Sequence, residues 1–277
     1  MSNNKRIVGI IIACMLSMPV MADVTVSDPK GDDNGHGAVV YPTGKEYKRG
    51  SFDLTGLKIQ ESGSDVIITA TFASKVLDPW KSKEWGGNGF SLQFVQLYIN
   101  SDPSGGHEKT LPGINGVFGK EDAWDKVVLL SPQGRSRLKS EVNTKATSVK
   151  ADVIIPRTTK ARGKTIRAVV SKEDLGPTPM AQWGIQALVQ SNEGYPAPED
   201  LLTRKVNEMQ GEHRFGGGND WECDAHVIDM IAGKGTGDAT EVASQHAALK
   251  DFCGPDGMRD KSEGKRSVLP MVYPGKQ

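Results

Sequence analysis

The chain is patterned in twos. In "DVIITATF" (residues 65–72), Val66, Ile68, Ala70 and Phe72 alternate with Ile67, Thr69 and Thr71, the spacing of a strand with one face buried. "FSLQFVQLYIN" (Phe90–Asn100) is longer and carries aromatic or aliphatic residues throughout. "FDLTGLKIQ", "KVVLL", "SVKADVII", "TIRAVVS" and "GIQALVQS" extend the series, with Gly, Pro, Asp and Ser clusters between them. Many short strands separated by turn signals predict a mainly β chain built as an antiparallel β-sandwich, rather than alternating strands and helices. The pattern changes in the last third. "EVASQHAALKDF" sets Val242, Gln245, Leu249 and Phe252 near one helical face, which predicts a short helix over 241–252. The expected organisation is a sandwich over 23–211 and a C-terminal tail of loops and one helix over 212–277.

The N-terminus has the anatomy of an export signal. Lys5 and Arg6 precede an apolar run from Ile7 to Met18, and Val20 and Ala22 suit cleavage after Ala22. Ile11-Ile12-Ala13-Cys14 also fits a lipobox, but the apolar run continues past Cys14, which favours simple secretion over lipidation. The expected destination is a periplasm or the cell surface. The mature chain has no further stretch expected to cross a membrane.

Composition narrows the partners. The 277 residues hold 34 basic and 34 acidic side chains, and cleavage removes two of the basic ones. A mixed, slightly acidic surface gives no electrostatic case for nucleic acid. Three cysteines occur in all. With Cys14 lost, Cys223 and Cys253 remain as an even pair in an oxidising compartment, which predicts a disulfide contributing roughly 3–4 kcal/mol.

Candidate chemistry begins at "DPKGDDNGHG" (residues 28–37). Asp28, Asp32, Asp33 and the Asn34 amide concentrate hard oxygen ligands among glycines. An EF-hand needs a bidentate Glu at its twelfth position, and counting from Asp28 that position is Val39. Two readings stay open on these residues alone: an irregular calcium loop, or an acidic turn whose carboxylates accept nearby N–H groups.

Further motifs follow in step. Asp28-Pro29, Gly31-Asp32-Asp33, Gly35, Gly37, Tyr41-Pro42-Thr43 and Gly50-Ser51-Phe52-Asp53-Leu54 lead into Leu77-Asp78-Pro79-Trp80 and Gly89-Phe90-Ser91-Leu92-Gln93. "LPGIN", Ala123-Trp124-Asp125, "FGGGND" and "VIDMI" complete the set. The chain thereby resembles the glucodextranase C-terminal domain family of DOMON-like, carbohydrate-binding-module-9-like β-sandwiches, also found on amylopullulanases. His36 departs from the pattern, where proline is expected between the two glycines. The resemblance implies a jelly-roll-like or immunoglobulin-like sandwich, a carbohydrate-associated role and a calcium ion near the first loop. It nominates Asp28, Asp32 and Asp33 as ligands and adds Asp53.

Aromatic loops are the natural sugar platforms, because the C–H faces of pyranoses meet π surfaces well. "DPWKSKEWGGNGF" places Trp80 and Trp85 in a polar, glycine-rich loop, with Asn88 able to bond hydroxyls, and Trp124 lies just before a strand. These four are the expected ligand-binding residues. Trp183, directly before "GIQALV", is expected in the core. A second polar loop carrying Asn100, Asp102, His107 and Glu108 reads as a solvated hairpin. No HExxH, GxSxG, Walker or C-x-x-C-H motif occurs, and nothing nominates a glycosidase carboxylate pair. The expected function is therefore a noncatalytic exported carbohydrate-binding protein with structural calcium. The alternatives are an envelope assembly scaffold that docks a protein partner through its tail, and a periplasmic redox accessory holding haem noncovalently.

Overall fold

The computed structural model describes residues 23–102, 104–219, 224–250 and 266–276. The signal segment, Trp221, Cys223 and Cys253 lie outside them, and with them the predicted disulfide. Two sheets pack face to face. The first joins β1 (Asp23–Ser27), β2 (Leu54–Ser62), β3 (Asp65–Phe72), β9 (Thr165–Ser171) and β8 (Thr158–Arg162), in that order and antiparallel throughout. In β3 the predicted alternation holds: Val66, Ile68, Ala70 and Phe72 are buried and the residues between them are half-exposed.

The second sheet runs β11 (Thr203–Arg204), β10 (Gly184–Asn192), β4 (Gln93–Asn100), β6 (Lys126–Leu130) and β7 (Val153–Ile154), and β12 (Asp229–Met230) also pairs with β10. Its pairs are antiparallel except β6 with β7. Every residue of β4 and β10 is buried. One face meets the first sheet through Val95, Leu97, Ile99, Ile185, Ala187 and Val189. The other carries Phe94, Tyr98 and Leu188 into a second apolar cluster with Trp124, Leu138 and Met230. Burial on both faces explains why these strands lack clean alternation. Their glutamines are accommodated by hydrogen bonds, such as Gln186 Nε2 to Ile231 O (3.1 Å) and Pro270 O (2.8 Å).

The second cluster is roofed partly by helix α1 (Arg135–Lys145), which the sequence pattern did not announce. Only Leu138 and Val142 of its eleven residues are buried, so its apolar stripe is one turn long. Glu141 pairs along the helix with Arg137 (2.8 Å) and Lys145 (2.9 Å) at i,i+4 spacing. The segment after residue 211, expected as a tail packed on the sandwich, also supplies strands. β12 sits beside β10, and β13 (Ser267–Leu269) runs parallel to β5 (Gly116–Phe118). Helix α2 (Val242–Leu249) forms where the periodicity put it. Among the described residues no helix is long and apolar enough to cross a membrane.

Candidate cation site and ligand groove

Three distant segments meet at the end of β1. Asp28 follows that strand, Asp32 lies in the turn after it, and Asp229 opens β12. Each is buried and offers a carboxylate oxygen within 4.8 Å of the others. Asp53, directly before β2, adjoins them. Its Oδ2 accepts the N–H of Gly31 at 2.8 Å. Gly31 sits at φ +93°, a backbone conformation that favours glycine.

The hydrogen bonding of this cluster is incomplete. Asp28 Oδ1 accepts from Ala232 N (2.7 Å), and Asp229 accepts from Leu54 N (2.6 Å) and Met230 N (2.9 Å). Asp28 Oδ2, both Asp32 carboxylate oxygens and Asp53 Oδ1 are buried with no partner. Each such atom costs about 1–3 kcal/mol unless something satisfies it. Protonation is one response. Burial first, then the Asp32 charge, pushes the Asp28 carboxyl up to about 9. Burial, with Asp53 and Asp33 nearby, raises Asp32 to about 7. Asp53 rises to about 6 through burial and the Asp33 charge, and burial with the Asp28 charge raises Asp229 well above the carboxylate range. A hard divalent cation is the other response. Unpartnered oxygens from several carboxylates, in an irregular buried cage, fit calcium, which takes six to eight oxygen ligands in flexible geometry.

The cluster differs from the expected ligand set at two residues. Asp33 does not enter the trio. Its Oδ2 accepts the Tyr41 hydroxyl and the Gly50 N–H (3.2 Å), bonds that tie the turn to the segment before β2. Asp229 joins Asp28 and Asp32 instead. Its signal in the sequence was one acid inside the apolar run "VIDMI". Helix α2 braces the cluster through Gln245, which donates to Asp32 O (2.5 Å) and Gly35 O (3.2 Å) and accepts from Met230 N (3.0 Å).

The predicted tryptophans part company. Trp85 is 41 % exposed and donates its indole N–H to Trp80 O (3.1 Å). Trp80 is half-buried, with the Arg204 guanidinium 5.6 Å from its ring centroid and His213 edge-on at 5.7 Å. Trp80, Trp85, Arg137, Glu193, Tyr195 and Arg204 line a hollow of about 550 Å3. A second hollow, of about 490 Å3, shares Glu193, Tyr195, Arg204 and His213 with the first. Rings connect this groove to the acidic turn. Tyr41 packs on Phe52 (5.9 Å), Phe52 on Phe215 (4.9 Å), Phe215 on Tyr47 (6.1 Å) and Tyr47 on Trp80 (6.4 Å).

The model of the "C-terminal binding-module, SLH-like, of glucodextranase" family matches residues 24–270. The chain belongs to this family. No curated protein matches it. The glucodextranase C-terminal family is thus recognised here by a binding module and not by a catalytic domain.

Within that family fold, Trp124 is a structural residue, contrary to its expected ligand role. It is fully buried between Tyr98 (5.4 Å) and His107 (4.6 Å), and its indole N–H donates to Lys109 O (2.9 Å). The Asn88 amide donates to Ser131 O and Gln133 O, both at 2.8 Å. Those bonds pin the loop under Trp85 and commit both amide hydrogens. Sequence reasoning passed over Tyr195, which is 93 % exposed in "NEGYPAPED", although an aromatic among Gly and Pro was a readable signal.

Proposed function

We propose that this member of the glucodextranase C-terminal family is an exported, noncatalytic carbohydrate-binding protein that docks sugar in the Trp80–Trp85 groove. The observation that carries the reading is Trp85, 41 % exposed and lining a hollow of about 550 Å3, on a binding-module fold. Pyranose faces stack on such rings, and a groove of this size lies within the range of about 300–1,000 Å3 usual for small-molecule sites. Calcium, held by Asp28, Asp32 and Asp229 with Asp53 beside them, would supply the positive charge that orders the first loop. Export rests on the basic, apolar and small-residue regions of residues 1–22. An envelope scaffold docking through its tail is the weaker reading, because β12 and β13 are already spent within the fold.

Isothermal titration of the mature protein in calcium, against α-glucan and other oligosaccharides and peptidoglycan fragments, tests the reading. Binding to one class that Trp85→Ala weakens about tenfold, the scale of a stacking anchor, supports it. Absence of binding to every glycan sinks it.

A further inference from the structure

The groove has an electrostatic character that selects among saccharides. Arg204 Nε lies 2.8 Å from Glu193, and its Nη1 donates to His213 O (2.6 Å) and Tyr47 Oη (3.2 Å). Arg137 lies 2.8 Å from Glu141 and Lys205 lies 3.2 Å from Asp200. Around the second hollow the acids Glu193, Asp200 and Glu212 match the bases Arg204, Lys205 and Arg214 in number. A uronate, phosphate or sulfate would have to break these pairs to gain the charge of Arg204, Arg137 or Lys205. Hydroxyl groups need only their polar edges.

Tyr195 supplies the second half of the argument. The residue is 93 % exposed, yet its backbone is held, because Glu193 Oε1 accepts the Tyr195 N–H at 3.0 Å. Pro196 follows it directly and restricts the chain further. The same residue borders both hollows. An exposed aromatic side chain on a restrained backbone, bordering both cavities, is placed to meet the middle of an extended ligand.

We propose that the groove takes an uncharged saccharide chain seated across both hollows, with Tyr195 as a second stacking platform and the Glu193–Arg204 pair as its hydroxyl clamp. The proposal rests on the carbohydrate-binding reading above and adds the charge class, a chain long enough to reach both hollows, and three residues. The pair presents one acceptor and one donor group side by side, which suits neighbouring hydroxyls on one sugar ring. The half-buried Trp80 ring backs the Arg204 plane and keeps it from turning away.

The test is calorimetric titration of the mature protein in calcium with maltose, maltohexaose, cellohexaose and a galacturonic acid hexamer, in low and high salt. The expected result is binding of an uncharged hexamer that changes less than about twofold between roughly 0.05 and 0.5 M NaCl, since no ion pair forms across the interface. Tyr195→Ala should weaken the hexamer about tenfold and the disaccharide much less, whereas Tyr195→Phe, which keeps the ring, stays near wild type. Unchanged melting of Tyr195→Ala verifies the fold, because the ring touches little protein. Preference for the galacturonic acid hexamer with steep loss in salt overturns this proposal alone. So does equal loss on hexamer and disaccharide. Failure to bind any of these or any other glycan overturns the carbohydrate reading itself.

Discussion

Replacing Asp32 by asparagine should move stability in opposite directions with and without calcium. The substitution keeps the shape of the side chain and removes one charge. The backbone N–H of Asp32 itself favours the carboxylate, but neither carboxylate oxygen has a partner at hydrogen-bond geometry, so no ladder or cap is lost. Its oxygen lies within 4.8 Å of oxygens on Asp28 and Asp229. Two full charges at that separation repel by about 3 kcal/mol at an effective dielectric constant of about 20. Asp28, raised to about 9, and Asp229, raised well above the carboxylate range, stay largely protonated at neutral pH. The charges left to oppose Asp32 are those of Asp53 and Asp33, on the order of 1 kcal/mol between the bulk-water and surface limits. In EDTA the variant should therefore melt about 2–4 °C above wild type. Calcium at about 100 times its Kd should stabilise the wild-type protein by about 2.7 kcal/mol, or roughly 5–10 °C for a chain of this size. The variant, short of one ligand, should keep less than about half of that gain. Differential scanning calorimetry in EDTA and in calcium reads both numbers. A lower melting temperature in EDTA together with an undiminished calcium gain would refute the reasoning and make the cluster an acidic turn.

The remaining predictions concern pH and the core. Asp53, Asp32 and Asp28 titrate in the folded state near 6, 7 and 9, all above the unfolded carboxylate value of about 4. The folded state then binds more protons than the unfolded one between those limits, so the stability these three carboxyls contribute in EDTA is fully present below about pH 4 and is lost as pH rises towards about 9. Calcium should flatten that decline, and a metal-free melting temperature that climbs across the window would contradict the assignment. Trp124→Ala should cost about 3–5 kcal/mol, read by urea denaturation, because it empties a wholly buried site. A cost below about 1 kcal/mol would return Trp124 to the surface and to the ligand-binding set.

The sequence by itself determined the sandwich, because period-two burial is a local property: β3 could only hide Val66, Ile68, Ala70 and Phe72 by becoming a strand. It determined helix α2 for the same reason, and the linked motifs from Asp28 to "VIDMI" carried the family. Helix α1 escaped, since two buried residues in eleven leave almost no period to read. Tertiary structure alone decided the sites. Asp28 and Asp229 stand about 200 positions apart and become neighbours only because β12 pairs with β10 and Ala232 N reaches back to Asp28. The same folding took Asp33 away to Tyr41 and Gly50 and buried Trp124, while leaving Trp85 and Tyr195 in water. A residue type announces what a side chain can do. Which atoms are left unpartnered, and which rings stay exposed, follows from how distant segments pack, and no local pattern encodes that.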